Sequence, residues 1–401
     1  MRVFIIAGEP SGDKLGAALM EGLQALVPEV EFDGIGGARM SEAGLKSRFP
    51  MEEISIMGIS EILSQYRHLK TRIAQTADQV VQTQPDVLIT IDLPEFSLRV
   101  AKLVKAKSQV RCVHYVAPTV WAWRAGRAAK MARHIDQVLA LFPFEPPYME
   151  AAGMRCDFVG HPVVMDPQAT QDQANAFREA HGIEPLAPLA LVLPGSRRGE
   201  VSRLAPIFGK ALEPVLEAHP NLKVVIPAAA PVEELVRNSV ADWSVAPLII
   251  RSEDKALKRA AFKAANVALA ASGTVSLELA AVGTPMVIAY DMNWLSRQVI
   301  GRMLKVDTVT LVNLVSDTRA VPEFIGADCV PERIATGLLD VFDDPSKQAA
   351  AMQMTMQRLG QAGEAPGVRA AKAVLSGLSQ TQATTERMAQ NFGSVQAHYT
   401  P

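Results

Sequence analysis

The chain alternates short apolar runs with helix-like segments, and the series occurs twice. Val3–Ala7, Glu31–Ile35, Val87–Asp92, Val113–Val116, Gln137–Leu141 and Asp157–Val159 make up the first series. Leu189–Leu193, Val224–Pro227, Leu248–Ile250, Val267–Ala270 and Met286–Ala289 make up the second. Most runs end in a Gly/Pro turn or enter a helical pattern, the rhythm of βαβ units around a mainly parallel sheet. The pattern restarts near Gly160-His161-Pro162, after which Asp166–Ala180 reads as a linker entering a helix. The expected class is therefore α/β, with two facing Rossmann-like, doubly wound domains and a cleft between them. Ligands in such sheets sit at the carboxyl ends of the strands, so the main site is expected in that cleft.

Bulk properties exclude several classes. With 49% hydrophobic and 20% charged residues in a chain of 401, this is a globular protein large enough for more than one core. No run of about 18 apolar residues is present, so no segment is expected to span a bilayer, and the opening reads as a strand rather than a secretory leader. Cys112, Cys156 and Cys329 lie far apart, without metal or redox spacing, which points to a reducing cytoplasm. The net charge of −2 hides a span from Arg99 to His134 that is rich in Lys and Arg and contains no Asp or Glu. That span is read as a face that meets anions. No nucleic-acid partner is expected.

Four strand-to-helix turns carry candidate chemistry. Gly8-Glu9-Pro10-Ser11-Gly12-Asp13 stands where a nucleotide fold places its phosphate turn, yet it is neither Gly-x-Gly-x-x-Gly nor a P-loop. Its glycines and Ser11 could approach a ligand; equally, Ser11 or Asp13 could be a plain N-cap. Asp92 ends an apolar strand just before Pro94, placed to take a proton from an attacking hydroxyl or to cap the helix that Pro94 opens. In Pro194-Gly195-Ser196-Arg197-Arg198-Gly199-Glu200, Arg197 is the phosphate clamp, while Arg198 reads as a solvated charge. In Ala271-Ser272-Gly273-Thr274-Val275-Ser276-Leu277-Glu278, the N–H groups of Gly273 and Thr274 can meet a diphosphate. Glu278, one helical turn later, could accept from both hydroxyls of a ribose. Nothing in these turns has the spacing of a metal site, and no cofactor is expected.

These stretches together resemble the lipid-A-disaccharide synthases, inverting bacterial glycosyltransferases. The motifs are GEPSGD (8–13), MGISEIL (57–63), TIDLPEF (90–96), HYVAPTVWAWR (114–124), LFPFE (141–145), PGSRRGE (194–200), ASGTVSLE (271–278) and LVNL (311–314). Pro10, Leu93 and Glu95 depart from the usual pattern without touching the proposed chemistry. The resemblance implies a glycosyltransferase B fold: residues 1–163 form the acceptor and membrane-facing domain, 164–345 the UDP-sugar domain, and helices of 346–380 pack back on the first. Residues 381–401 are expected to form a flexible tail. It implies transfer of 2,3-diacylglucosamine from its UDP carrier to 2,3-diacylglucosamine 1-phosphate, yielding the β-1,6-linked disaccharide 1-phosphate and UDP. It places catalysis on Asp92 and donor binding on Arg197, Glu200, Ser272, Gly273, Thr274, Glu278 and Asn313. Glu9, Ser11 and Gly12 then line the acceptor side. Two other enzymes stay open: a UDP-sugar 2-epimerase of the same fold and a nicotinamide-dependent oxidoreductase. The second is disfavoured by Gly34-Ile35-Gly36-Gly37, where a ribose-binding acid would stand.

Acylated substrates must come from a bilayer. Ile59, Ile62, Leu63, Tyr66, Leu69 and Ile73 recur at helical spacing, and Ile54, Ile56 and Met57 extend the apolar run. Arg67, His68, Lys70 and Arg72 cluster at its end, while Arg124, Arg127, Lys130 and Arg133 recur at threes. The expectation is a peripheral protein on the inner face of the cytoplasmic membrane. It would touch anionic lipid through Ile56, Met57, Ile59, Ile62 and Leu63.

Overall fold

The structure, a computed structural model, is described for residues 1–55, 59–120, 126–292 and 306–380, with side chains excepted at 59–66. Two six-stranded sheets organise it. The first contains β1 (Arg2–Ala7), β2 (Glu31–Ile35), β3 (Val87–Ile91), β4 (Arg111–Tyr115), β5 (Gln137–Ala140) and β6 (Arg155–Phe158). The second contains β7 (Leu189–Leu193), β8 (Lys223–Ala228), β9 (Leu248–Arg251), β10 (Val267–Ala270), β11 (Met286–Tyr290) and β12 (Glu323–Ile325). Every neighbouring pair runs parallel.

The central strands β3, β7 and β10 are buried at every residue because both faces of each sheet are covered, while the edge strands β2 and β6 carry Glu31, Asp33, Arg155 and Asp157. In β1, Phe4 and Ile6 enter one core with Leu69, Ile73, Phe96 and Val100. Val3, Ile5 and Ala7 enter the opposite core with Leu19, Leu23, Ala370 and Val374. The second sheet buries Ala190, Val192, Leu269 and Val287 against Leu204, Phe208 and Leu338.

Strand order fixes where ligands can meet each sheet. The first runs β2-β1-β3-β4-β5-β6, so winding reverses between β1 and β3. The second runs β12-β11-β10-β7-β8-β9 and reverses between β7 and β10. Ala7 is in register with Ile91, and Ala270 with Leu193. The turns at 8–13 and 92–94 therefore leave the first sheet side by side at its switch point, and those at 194–197 and 271–274 leave the second in the same way. Such crevices are where open α/β sheets bind ligands. The four turns with candidate chemistry are the four at these two points.

The chain divides into residues 1–162 with 362 onward, and residues 163–361. The helix Ser346–Arg358, expected with the first unit, belongs to the second. Buried Gln348 accepts from Met286 N at 2.9 Å and donates to Met286 O at 2.8 Å. Thr355 and Arg358 donate to the carbonyls of Val312 and Val315. The return to the first unit is made by the helix at 366–380. There Gln137 Nε2 donates to Ala373 O at 2.9 Å, and Arg369 donates to Phe158 O while lying over its ring. The short edge strand β12 has no counterpart in the sequence reading; three half-buried residues give no periodic signal. Among the described residues, no helix is long and apolar enough to cross a membrane.

Candidate active site

At the first switch point the backbone is strained. Asp92 and Leu93 have φ of 49° and 47°, and Val116, just past β4, has φ of 82°. Left-handed geometry is tolerable for Asp but unfavourable for Leu and an outlier for a β-branched residue. Surrounding bonds impose it: Asp92 N donates to Tyr115 O, Val116 N to Leu139 O, and the amides of Phe96 and Ser97 to Leu93 O. The half-buried Asp92 carboxylate makes no hydrogen bond or ion pair with the described residues. Its neighbour Glu95 is exposed and paired to Arg99 at 2.9 Å, which separates the two acids. Below them, Thr90 Oγ1 lies 2.8 Å from Nδ1 of fully buried His114. Burial, with help from the charge of Arg127, pushes that imidazole down to about 4, so it is neutral at pH 7.

The turn after β1 divides its labour differently from the sequence expectation. Glu9 is the N-cap residue of the helix Pro10–Leu26, with no side-chain cap bond, and Ser11 is exposed in its first turn. Gly12 faces inward; a Cβ there would sit 3.5 Å from Ile91 Cγ2 and 3.5 Å from Ala7 Cβ. At Gly8 an added Cβ would fall 2.3 Å from Leu93 Cδ2, so that side chain would have to move. Asp13 caps a different helix. Its buried carboxylate accepts from Gly37 N at 2.7 Å, Arg39 N at 2.9 Å and Met40 N at 3.1 Å, fixing the turn after β2.

At the second switch point, two helix N-termini meet with opposite fates. The helix Arg198–Ala218 is capped from within. Glu200 folds back to accept from the amides of Ser196 at 3.2 Å and Arg197 at 3.3 Å, and it pairs with Arg197 Nη1 at 2.9 Å. Gly195 has φ of 110°, and a Cβ there would fall 2.5 Å from Glu200 Oε2. Glu200, expected on the donor, instead occupies the anion position of its own helix and steers Arg197, whose side chain stays 75% exposed. Arg198 is exposed without an ion pair among the described residues. Tyr290, at the end of β11, brings its hydroxyl 3.5 Å from Glu200 Oε1, a neighbour that no motif flagged.

The helix Val275–Val282 is the contrasting case. Gly273 has φ of 155° and open space where a Cβ would stand. Gly273 and Thr274 are exposed and Ser272 half-buried, and the amides of Gly273 and Thr274 make no hydrogen bond with the described residues. Aligned N–H groups at a helix start attract phosphate. Glu278 follows on the same helix, 2.7 Å from Lys258 Nζ. Asn313, expected on the donor, is fully buried. Its amide donates to Val321 O and Glu323 Oε1 and accepts from Val321 N, so it fixes the 318–321 turn and presents nothing outward. Among the described residues, no group of His, Cys, Asp and Glu is placed to hold a metal ion.

The apolar stripe and the basic span are also revised. Ile54, Leu69 and Ile73 are core residues of the first unit. Ile56 and Met57, and the side chains of Ile59, Ile62, Leu63 and Tyr66, lie outside the described residues, as does Arg124. Arg72 and His68 both bind Glu53. Arg99, Lys105 and Lys107 pair with Glu95, Asp136 and Asp78. Lys102, Arg127, Lys130 and Arg133 have no ion pair among the described residues.

Comparison with known proteins follows the same lines. A family model described as lipid-A-disaccharide synthetase matches residues 3–376. The chain is 60% identical over 384 residues to a lipid-A-disaccharide synthase of Ruegeria pomeroyi, covering 94% of this chain and 96% of that one. It is 44% identical to a synthase of the same name from Rhodospirillum centenum, covering 98% of each. Its fold is similar to a UDP-GlcNAc 2-epimerase of Neisseria meningitidis bound to UDP-GlcNAc: TM-score 0.60, 12% identity, 95% and 100% of the two chains. An Anabaena protein in complex with UDP and glucose aligns at TM-score 0.54 and 14% identity, over 94% and 99%. At such identities these two structures speak for the fold alone.

Proposed function

We infer that this chain, which belongs to the lipid-A-disaccharide synthetase family, transfers 2,3-diacylglucosamine from its UDP carrier to the 6-hydroxyl of 2,3-diacylglucosamine 1-phosphate. The products are the β-1,6-linked disaccharide 1-phosphate and UDP. One observation carries the chemistry. The switch point of the first unit holds a carboxylate on strained backbone, while that of the second holds exposed amides and a guanidinium. A base and an anion receiver are what an inverting displacement asks for.

Asp92 takes the proton of the acceptor hydroxyl as its oxygen attacks the anomeric carbon. The bond to the diphosphate breaks on the opposite side. Charge growing on the departing UDP meets the N–H groups of Gly273 and Thr274 and the guanidinium of Arg197, donors already oriented before reaction. Ser272 completes that turn, and Glu278 receives the ribose hydroxyls. Glu200 steers Arg197 from behind, while Asn313 acts only through the 318–321 turn that it holds. Glu9 and Ser11 border the acceptor side, with Gly12 seating their helix on the sheet. We further propose attachment to anionic lipid on the inner face of the cytoplasmic membrane. Ile56, Met57, Ile59, Ile62 and Leu63 would supply the apolar contact, and Arg127, Lys130 and Arg133 the charge.

The epimerase reading shares the fold and the ribose carboxylate, but the relatives at 60% and 44% identity carry the synthase name. A UDP-release assay tests the choice. UDP should appear only when acylated donor and acceptor are both present. Release or epimer formation from the donor alone would overturn the transferase reading.

A further inference from the structure

We infer that Lys258 is a positioning residue that sets how this chain recognises the ribose diol of its nucleotide. The inference rests on the reading of Glu278 as the ribose acceptor. Lys258 lies on the helix Lys255–Ala264, Glu278 on the helix Val275–Val282, and Lys258 Nζ stands 2.7 Å from Glu278 Oε2. The lysine is the better shielded partner, with 24% of its side chain exposed against 42% for the glutamate. Its ammonium also sits 5.1 Å from the ring centroid of Phe262, itself 3% exposed. Thr284 Oγ1 donates to Phe262 O at 2.7 Å, tying that residue to the turn before β11. The cation is thus held from two sides.

A glutamate on a helix surface samples several rotamers, and only some present both oxygens to two vicinal hydroxyls. An ionised carboxylate has about four acceptor positions. Lys258 takes one on Oε2 and leaves the rest for the 2′- and 3′-hydroxyls. It fixes the rotamer of that acceptor. The consequence is specificity: with Lys258 in place, a missing hydroxyl leaves an oriented charged acceptor without its donor. Without Lys258, Glu278 turns to water and the missing hydroxyl matters less.

The test is calorimetric titration of the full chain with UDP and with 2′-deoxy-UDP, in the parent and in Lys258→Met, Lys258→Arg and Glu278→Gln. The parent should prefer UDP by about tenfold or more, the scale of one hydrogen bond to a charged group. Lys258→Met should bring that ratio close to one while binding 2′-deoxy-UDP nearly as the parent does. Lys258→Arg should restore most of it. A Lys258→Met protein that keeps the parental ratio, or that loses both ligands equally, overturns the proposal. If Glu278→Gln retains the parental preference, the ribose assignment of Glu278 itself fails, and that arm reports it independently of Lys258.

Discussion

Asp92 and Leu93 are consecutive residues in a backbone region that disfavours side chains by roughly 1–2 kcal/mol each. Such strain persists only where its surroundings over-determine it, and it concentrates at functional sites. Here the following amides grip Leu93 O, and Pro94 fixes the helix start. Asp92→Asn should therefore preserve geometry, because Asn tolerates the left-handed region as well as Asp does. Removing only the charge should lower turnover about 10²-fold or more, with UDP affinity unchanged by calorimetry. Near-parental turnover would remove Asp92 as the base. The residue type and position of Asp92 were legible in the sequence; its conformation was not, since neighbouring strands impose it. Glu200 and Asn313 show the complementary limit. A polar residue beside a motif reads the same whether it faces a ligand or the fold. The difference emerges only when the amides of Ser196 and Arg197, or the backbone of Val321, are found bonded to it.

At the scale of elements, the contact between Pro10–Leu26 and the helix at 366–380 is made backbone to backbone. A Cβ on Gly367 would lie 2.3 Å from Ala18 O, and one on Gly22 would lie 2.6 Å from Gly367 O. Neither oxygen can move without moving its helix. Gly367→Ala should destabilise the first unit by about 1–3 kcal/mol, the usual cost of overpacking, as measured by denaturant unfolding. Gly126→Ala, with open space around the added carbon, is the control that should change little. Equal stability of the two variants would mean that the helices separate readily at this crossing. Helix existence was readable here from composition, but the division of the C-terminal helices between the two units was not. Gln348 is buried, and its two hydrogen bonds to Met286 bind Ser346–Arg358 to the second sheet.

For the whole molecule, the sequence conveyed the two parallel sheets because both report through runs of buried Val, Ile and Leu. Charge was less legible, since Asp78, Glu95 and Asp136 lie outside the basic span or at its edge and still neutralise part of it. The cations left over define the membrane experiment. Changing Arg127, Lys130 and Arg133 together to Gln should reduce sedimentation with anionic vesicles at low salt, each residue being worth about 1 kcal/mol near such a surface, while UDP binding stays intact. Unchanged sedimentation, or a parent protein that does not sediment with such vesicles, would overturn the proposed attachment through these residues. The division of the chain has a further result for synthesis. The first unit opens at residue 1 but is finished only by the segment after 361, with the whole second unit between. At about 5–20 residues per second, the ribosome spends about 10–40 s on those roughly 200 residues. Throughout that interval Val3, Ile5, Ala7, Leu19 and Leu23 lack the cover that Ala370 and Val374 later supply. Of the two units, the one begun earlier is therefore the one completed later, with part of its core uncovered in the meantime.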